Sequence, residues 1–127
     1  MTALKGIVLA SVALASFPGH ADAGIFRTGN DLWATCNTPQ SNPDFYQKYY
    51  QCSGYIIGAV DSLELSSAIE GRGECIPATA NVGQITDIVI AYLRDKPAKR
   101  SLMAPNVIAL AMNEAFSCRM LPAPALK

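Results

Sequence analysis

Four cysteines are the side chains of this chain with the clearest capacity for chemistry. They are Cys36, Cys52, Cys75 and Cys118, and no two of them form the C-x2-C pair that many zinc sites use. The single histidine, His20, lies upstream of all four, so we expect no cysteine–histidine or serine–histidine nucleophile pair after it. The even cysteine count therefore predicts two disulfides in an oxidising compartment, and not a metal site or a catalytic thiol.

The best carboxylate pair for acid–base chemistry is Asp61 and Glu64, which would be neighbours on one helix face. The sequence offers this pair no identifiable acid–base partner. For Asp61, capping or bridging a neighbouring helix is therefore favoured over catalysis. We expect no catalytic residue, no metal and no cofactor, and we predict that the protein is not an enzyme.

The first 23 residues have the pattern of a cleavable export signal. Lys5 precedes a short apolar run over residues 6–17, and Ala21-Asp22-Ala23 offers a small-x-small cleavage site. The run is shorter than the roughly 20 residues of a bilayer-spanning helix. We predict a signal peptide over 1–23 and a periplasmic mature protein; an uncleaved anchor is the alternative.

The mature chain is long enough for one domain with a modest core. We assign residues 24–120 to a helical domain and the Ala/Pro-rich residues 121–127 to a flexible tail. The chain has ten basic and ten acidic residues, and the leader removes one of each, so the mature domain stays formally neutral. Neutrality argues against nucleic acid as a partner, because nucleic acid is bound by clustered Lys and Arg.

Apolar periodicity predicts an all-α fold, a small disulfide-linked bundle of about four helices. A short first helix is expected over residues 31–36, with Asn30 or Asp31 as its N-cap. A long second helix should follow from about residue 44, with one buried face: Phe45, Tyr49, Cys52, Ile56, Ala59 and Leu63. Gly71 and Gly73 are expected to end it.

Glycines interrupt the second helix at Gly54 and Gly58. Each costs about 1 kcal/mol of helix stability relative to alanine, so we expect a second helix backbone to approach closely there. A third helix should be capped by Thr79 and should stop at Lys96-Pro97. A fourth helical segment runs over residues 98–116, and Pro105 within it predicts a kink or a restart.

The order of the helices suggests which cysteines meet. Short connections make the second, third and fourth helices antiparallel neighbours. Cys75 precedes the third helix and Cys118 follows the fourth, so both should lie at the same end of the bundle. The preferred pairs are therefore Cys75–Cys118 and Cys36–Cys52, although four cysteines allow three connectivities.

Five segments in the same order resemble the Tai-type immunity protein family. Together they cover nearly the whole mature chain, and their residues in this sequence are Thr28-Gly29-Asn30-Asp31-Leu32 to Cys36, Cys52-Ser53-Gly54 to Asp61, Cys75-Ile76-Pro77, Gly83-Gln84 through Lys96-Pro97, and Ala109-Leu110 to Phe116-Ser117-Cys118. The resemblance implies a periplasmic, all-helical, resistance-associated protein. Such proteins protect users of type VI secretion by covering the substrate cleft of a peptidoglycan amidase toxin, typically as homodimers and without catalysis.

Two regions are candidates for contact with a protein partner. The Gly-rich segment 66–74 carries Glu70, Arg72 and Glu74, and a bridge at Cys75 would hold its base while its tip enters an enzyme cleft. An ordinary inter-helix connection is the equally weighted alternative. Tyr46 and Tyr50, four residues apart and off the main apolar face, are the second candidates.

Two other functions compete with the immunity reading. A small periplasmic helical chaperone or stress protein would share the size, the compartment and the disulfides, but a mature chain without histidine lacks the usual switch near neutral pH. An enzyme built on Asp61 and Glu64 is the weakest alternative.

Overall fold

The computed structural model describes residues 27–121. This part of the chain forms four α-helices and one short 3-10 helix, and it contains no named strand: α1 (Gly29–Cys36), α2 (Phe45–Ile69), α3 (Val82–Asp95), the 3-10 helix Pro97–Ser101, and α4 (Ala104–Phe116). The predicted all-α bundle of about four helices is therefore confirmed. The predicted signal peptide and residues 122–127 of the predicted tail lie outside the described residues.

One apolar core holds the helices together. α2, α3 and α4 pack against one another, and α1 closes one side of the bundle. Each of the four α-helices contributes fully buried side chains, and Met120 adds one from beyond α4: Leu32, Ile56, Val89, Leu93, Val107, Ile108, Met112 and Met120. Burying each such side chain contributes on the order of 1.5–3 kcal/mol.

Two disulfides link parts of the bundle that are separate in sequence. Cys36 at the end of α1 bonds to Cys52 in α2, with the two Cα atoms 5.1 Å apart. Cys75, in the connection between α2 and α3, bonds to Cys118 after α4, with a Cα–Cα distance of 5.4 Å. These are the pairs that the sequence analysis preferred. Loop-closure entropy assigns roughly 3–4 kcal/mol to each bridge.

The start of α1 differs from the sequence prediction. Its N-cap is Thr28, not Asn30 or Asp31. The Thr28 hydroxyl oxygen accepts from the Asp31 N–H at 3.3 Å, and the Asp31 carboxylate accepts from the Thr28 N–H at 2.9 Å. This reciprocal capping box satisfies two backbone donors, so the helix begins two residues earlier. The hydrogen bond from the Thr28 N–H is the main reason that the pKa of Asp31 is lowered from 3.8.

The close backbone approach predicted at Gly54 and Gly58 is wrong for the described chain. Both glycines are exposed, and a Cβ added to either would meet nothing within 4 Å. The tight approach is instead at Gly29, where an added Cβ would lie 2.8 Å from the Cα and the carbonyl oxygen of Arg100. The Gly29 N–H also donates to the Leu102 carbonyl at 2.8 Å. Gly29 therefore lets α1 pack directly on the 3-10 helix.

The later helix boundaries follow the sequence in part. α3 is capped by Asn81, whose side-chain oxygen accepts from the Gln84 N–H at 2.9 Å, and not by Thr79 as predicted. Its last residue is Asp95, before Lys96-Pro97 as expected. Pro105 lies in the first turn of α4, and residues 102 and 103 separate α4 from the 3-10 helix, so the predicted restart is confirmed.

Candidate functional site: an acid-rimmed groove between α2 and α3

An open groove of about 520 Å³ lies between the C-terminal half of α2 and the segment that leads into α3. Most of its lining is apolar and includes Ile57, Val60, Leu65, Ile76, Val82 and Ile85. Three carboxylates, those of Asp61, Glu64 and Glu74, also line it, and no Lys or Arg among residues 27–121 does. We call this feature the α2–α3 groove.

Large apolar side chains are exposed at and beside the groove. Leu65 is 63% exposed and Val82 is 55% exposed on its edge, and Ile69, one turn further along α2, is 78% exposed. Such side chains are normally buried, and a contiguous exposed apolar patch is typical of an interaction site. The groove therefore combines an apolar interior with an apolar edge and an acidic rim.

Glu64 positions the chain on the far side of the groove. Its carboxylate accepts from the Cys75 N–H at 3.1 Å and from the Ile76 N–H at 2.9 Å. The Cys75–Cys118 disulfide also fixes this segment, because it bonds Cys75 to the chain after α4. Hydrogen bonds from backbone N–H groups to a carboxylate are among the stronger ones in proteins, so this wall of the groove is fixed in place.

The structural role that the sequence analysis gave to Asp61 belongs to Glu64. Asp61 is exposed, and its carboxylate forms no hydrogen bond or ion pair with another described residue. Glu64 is half-buried and already accepts two backbone hydrogen bonds. The geometry thus gives the two carboxylates separate tasks, and nothing in it favours the paired acid–base chemistry of the enzyme hypothesis.

The segment 66–74 is helical over its first four residues, which its composition did not predict. α2 continues through Ile69, and Gly71 and Gly73 form the turn with φ angles of +69° and +82°. Glu70 and Glu74 are exposed, as expected for partner contacts.

Arg72 faces the protein and not the solvent. One of its terminal N–H groups donates to the carbonyl oxygens of Arg119 and Met120 at 3.2 and 2.8 Å, and its Nε lies 3.0 Å from a Glu70 oxygen. Arg72 therefore ties this turn to the segment after α4. Its contact with a partner stays a prediction.

Tyr46 and Tyr50 lie at the other end of α2, and each is 69% exposed. Their rings contact Phe45 and Tyr49 edge-to-face, with centroid distances of 5.3 and 5.9 Å, which restricts their motion. Fifteen residues separate Tyr50 from Leu65, or about 22 Å along the helix. The structure therefore does not bring the tyrosines together with Glu70 and Glu74.

Sequence reasoning missed the apolar part of the groove. Leu65 and Ile69 lie four residues apart, so they share one side of α2. That side is not the predicted buried face. This spacing of four residues was the sequence signal for a second apolar side of α2. Val82 lies on the opposite side of the groove, 17 positions away in sequence from Leu65, and only the tertiary fold brings the two together.

Residues 27–121 contain no cluster of three or more His, Cys, Asp or Glu side chains arranged to hold a metal ion. No helix in that range has the length and apolar character needed to cross a membrane. The described residues form a small helical domain with an open groove between α2 and the start of α3.

Comparison with known proteins places this fold in a family. Residues 28–118 match the family model of the Rap1a immunity proteins. The match spans most of the chain, and the chain belongs to the Rap1a immunity family, which is associated with resistance to type VI secretion effectors. No curated protein and no solved structure matches the chain significantly.

Proposed function

We propose that this chain is a periplasmic immunity protein that binds a peptidoglycan amidase effector of a type VI secretion system and occludes its substrate cleft. The observation that carries the proposal is the family match, which spans the whole helical domain from Thr28 to Cys118. The same match favours immunity over the chaperone alternative. The amidase as target comes from the resemblance to Tai-type proteins.

Occlusion without catalysis accounts for the surface of the molecule. An inhibitor needs a stable, complementary surface and no reacting group. The α2–α3 groove supplies exposed apolar area, and the chain around it is held by a disulfide and by backbone hydrogen bonds to Glu64. Members of an immunity family are typically not enzymes, and we propose the same for this chain.

The periplasm is the compartment that suits these features. Disulfides persist there, and the two bridges supply a large fraction of the stability of a small domain. A signal peptide over residues 1–23 would deliver the chain to that compartment and would put it where an amidase attacks the cell wall.

We also propose a homodimer, with Tyr46 and Tyr50 as its candidate contacts. Exposed, ordered aromatic rings are common anchors of protein interfaces. Along α2, Tyr50 lies about 22 Å from Leu65 at the groove edge and about 10 Å from Ile57, the groove residue nearest to it in sequence. Light scattering of the wild type and of Tyr46→Ser with Tyr50→Ser tests it, because a monomeric wild type contradicts the dimer.

The function is tested by protection of cells. An amidase effector encoded beside this gene is exported to the periplasm of a susceptible host, with or without the chain. We expect the full-length chain to prevent lysis and a version without residues 1–23 to fail, since it would stay in the wrong compartment. Lysis at the control rate, with folded and processed chain present in the periplasm, would refute the proposed function.

A further inference from the structure

We propose that the α2–α3 groove receives a segment of the effector in which a large apolar side chain is flanked by Lys or Arg. The inference rests on the proposed function, because it names the chemistry of the partner at this surface. It adds Asp61, Leu65 and Val82 to the contact residues and specifies the charge of what they contact.

The apolar character of the occupant follows from the size and lining of the groove. A volume of about 520 Å³ is within the range of sites that bind small ligands, and it has room for one or two large side chains. Leu65 and Val82 stand exposed at its edge, so an inserted apolar side chain would cover them. Removal of this apolar area from water favours the complex.

The basic character of the occupant follows from the carboxylates. Asp61 and Glu74 are exposed at the rim, and no cation of the described chain forms an ion pair with either. The nearest basic side chain in sequence, Arg72, is directed toward Glu70 and the carbonyl groups after α4. The rim therefore carries uncompensated negative charge, which favours an approaching Lys or Arg and speeds encounter at low salt.

Hydrogen bonds and a disulfide hold the two sides of the groove in place. Glu64 in α2 accepts hydrogen bonds from Cys75 and Ile76, and the Cys75–Cys118 disulfide fixes the same segment. A site that is already formed loses less conformational entropy when it binds. This favours insertion of an effector segment into the groove over insertion of the Gly71–Gly73 turn into the effector.

A second copy of this chain is a poorer occupant. Two grooves facing each other would place the carboxylates of Asp61 and Glu74 against their equivalents, and like charges brought together at an interface oppose binding. An effector segment with basic residues has the complementary charge, so we commit to that occupant.

The test measures the affinity of the purified chain for the amidase effector against which it protects cells. Asp61→Lys combined with Glu74→Lys reverses the rim, and Leu65→Ser removes part of the apolar edge; all three positions are exposed, so both variants should fold. Asp95→Lys is the control: it reverses one exposed charge, that of the Arg94–Asp95 ion pair, at the far end of α3, about 20 Å from Val82.

We expect the rim reversal to weaken binding at least tenfold at low salt and by less at 0.5 M NaCl, where charges are screened. Leu65→Ser should weaken binding about tenfold at both salt concentrations, and Asp95→Lys should stay within about twofold of the wild type. A Lys or Arg to Glu change in the contacting effector segment should restore binding to the rim-reversed chain.

The outcomes separate this inference from the function on which it rests. If the wild type protects and binds while both groove variants keep wild-type affinity, the groove proposal is overturned and the immunity function stands. An effector that binds in the groove through a segment without Lys or Arg also overturns it. If the folded wild type binds no amidase effector, both proposals fail.

Discussion

Adding one methyl group at Gly29 should destabilise this fold, whereas adding one at Gly58 should stabilise it. At Gly29 the new Cβ would lie 2.8 Å from two backbone atoms of Arg100, closer than non-bonded atoms tolerate. Arg100 cannot move freely, because its side chain donates to the Leu93 carbonyl at 2.6 Å and its guanidinium lies 4.1 Å from the centre of the Trp33 ring. Forcing extra volume into such a contact costs about 1–3 kcal/mol.

At Gly58 the same change meets no obstacle. The position is exposed in the middle of α2, and a Cβ would have nothing within 4 Å. Alanine removes the conformational freedom that glycine has in the unfolded chain, which should add roughly 0.5–1 kcal/mol. Gly54→Ala has the same surroundings and should behave in the same way.

The assay is urea and thermal unfolding of the oxidised, processed protein. A change of 1 kcal/mol shifts Tm by about 4–8 °C in a domain of this size, so Gly29→Ala should lower Tm and Gly58→Ala should raise it by a few degrees. Circular dichroism before unfolding checks that both variants are helical. A Gly58→Ala variant that loses as much stability as Gly29→Ala would refute this reasoning, because it would show that another backbone packs against α2.

Three further changes test other parts of the structure. Asp31→Asn should lower the urea midpoint at pH 7 but not at pH 2. The folded-state pKa of Asp31 is lowered from 3.8, so the stability that its carboxylate contributes is complete above 3.8 and is lost as the pH falls through the folded-state pKa. Glu64→Gln should speed hydrogen exchange at the Cys75 and Ile76 amides by about tenfold, since it weakens two charge-assisted hydrogen bonds; unchanged exchange would contradict the role given to Glu64. Replacing Cys75 and Cys118 by Ser should cost about 4 kcal/mol, more than the roughly 3 kcal/mol for the Cys36–Cys52 bridge, because it opens the longer loop of 43 against 16 residues; an equal or reversed loss would contradict the loop-closure account.

The helices could be predicted because their signals are local. Apolar spacing along α2, the turn at Gly71 and Gly73, and the restart at Pro105 each depend on residues close together in the chain. The N-caps could be predicted only approximately. Thr28 and Asn81 compete with nearby residues that are also good caps, and the choice depends on where the folded chain enters the helix.

Tertiary contacts explain what the sequence could not show. Glycine in a helix is compatible with a close neighbour or with open space, and the fold places the neighbour at Gly29 and leaves Gly54 and Gly58 open. Arg72 lies in a charged, Gly-rich turn, and such a composition is typical of solvent-exposed segments. Its acceptors are the carbonyl groups of residues 119 and 120, and no local pattern indicates a contact across that separation.

The candidate site was predictable only at its edges. Glu74, in the Gly-rich connection, was a predicted contact residue and lines the groove, whereas Glu70 does not line it; contact of either residue with a partner stays a prediction. The groove itself requires α2 and the start of α3 to lie side by side, and its charge depends on Arg72 being directed elsewhere. Neither condition can be derived from residue spacing alone.

Stoichiometric inhibition of an isolated amidase tests the central claim most directly. The processed chain is titrated into its effector while the hydrolysis of peptidoglycan fragments is followed, and the chain alone is assayed on the same fragments. We expect activity to fall linearly to zero at one binding site per enzyme, with no product formed by the chain itself. Full amidase activity in the presence of excess folded chain would contradict the account.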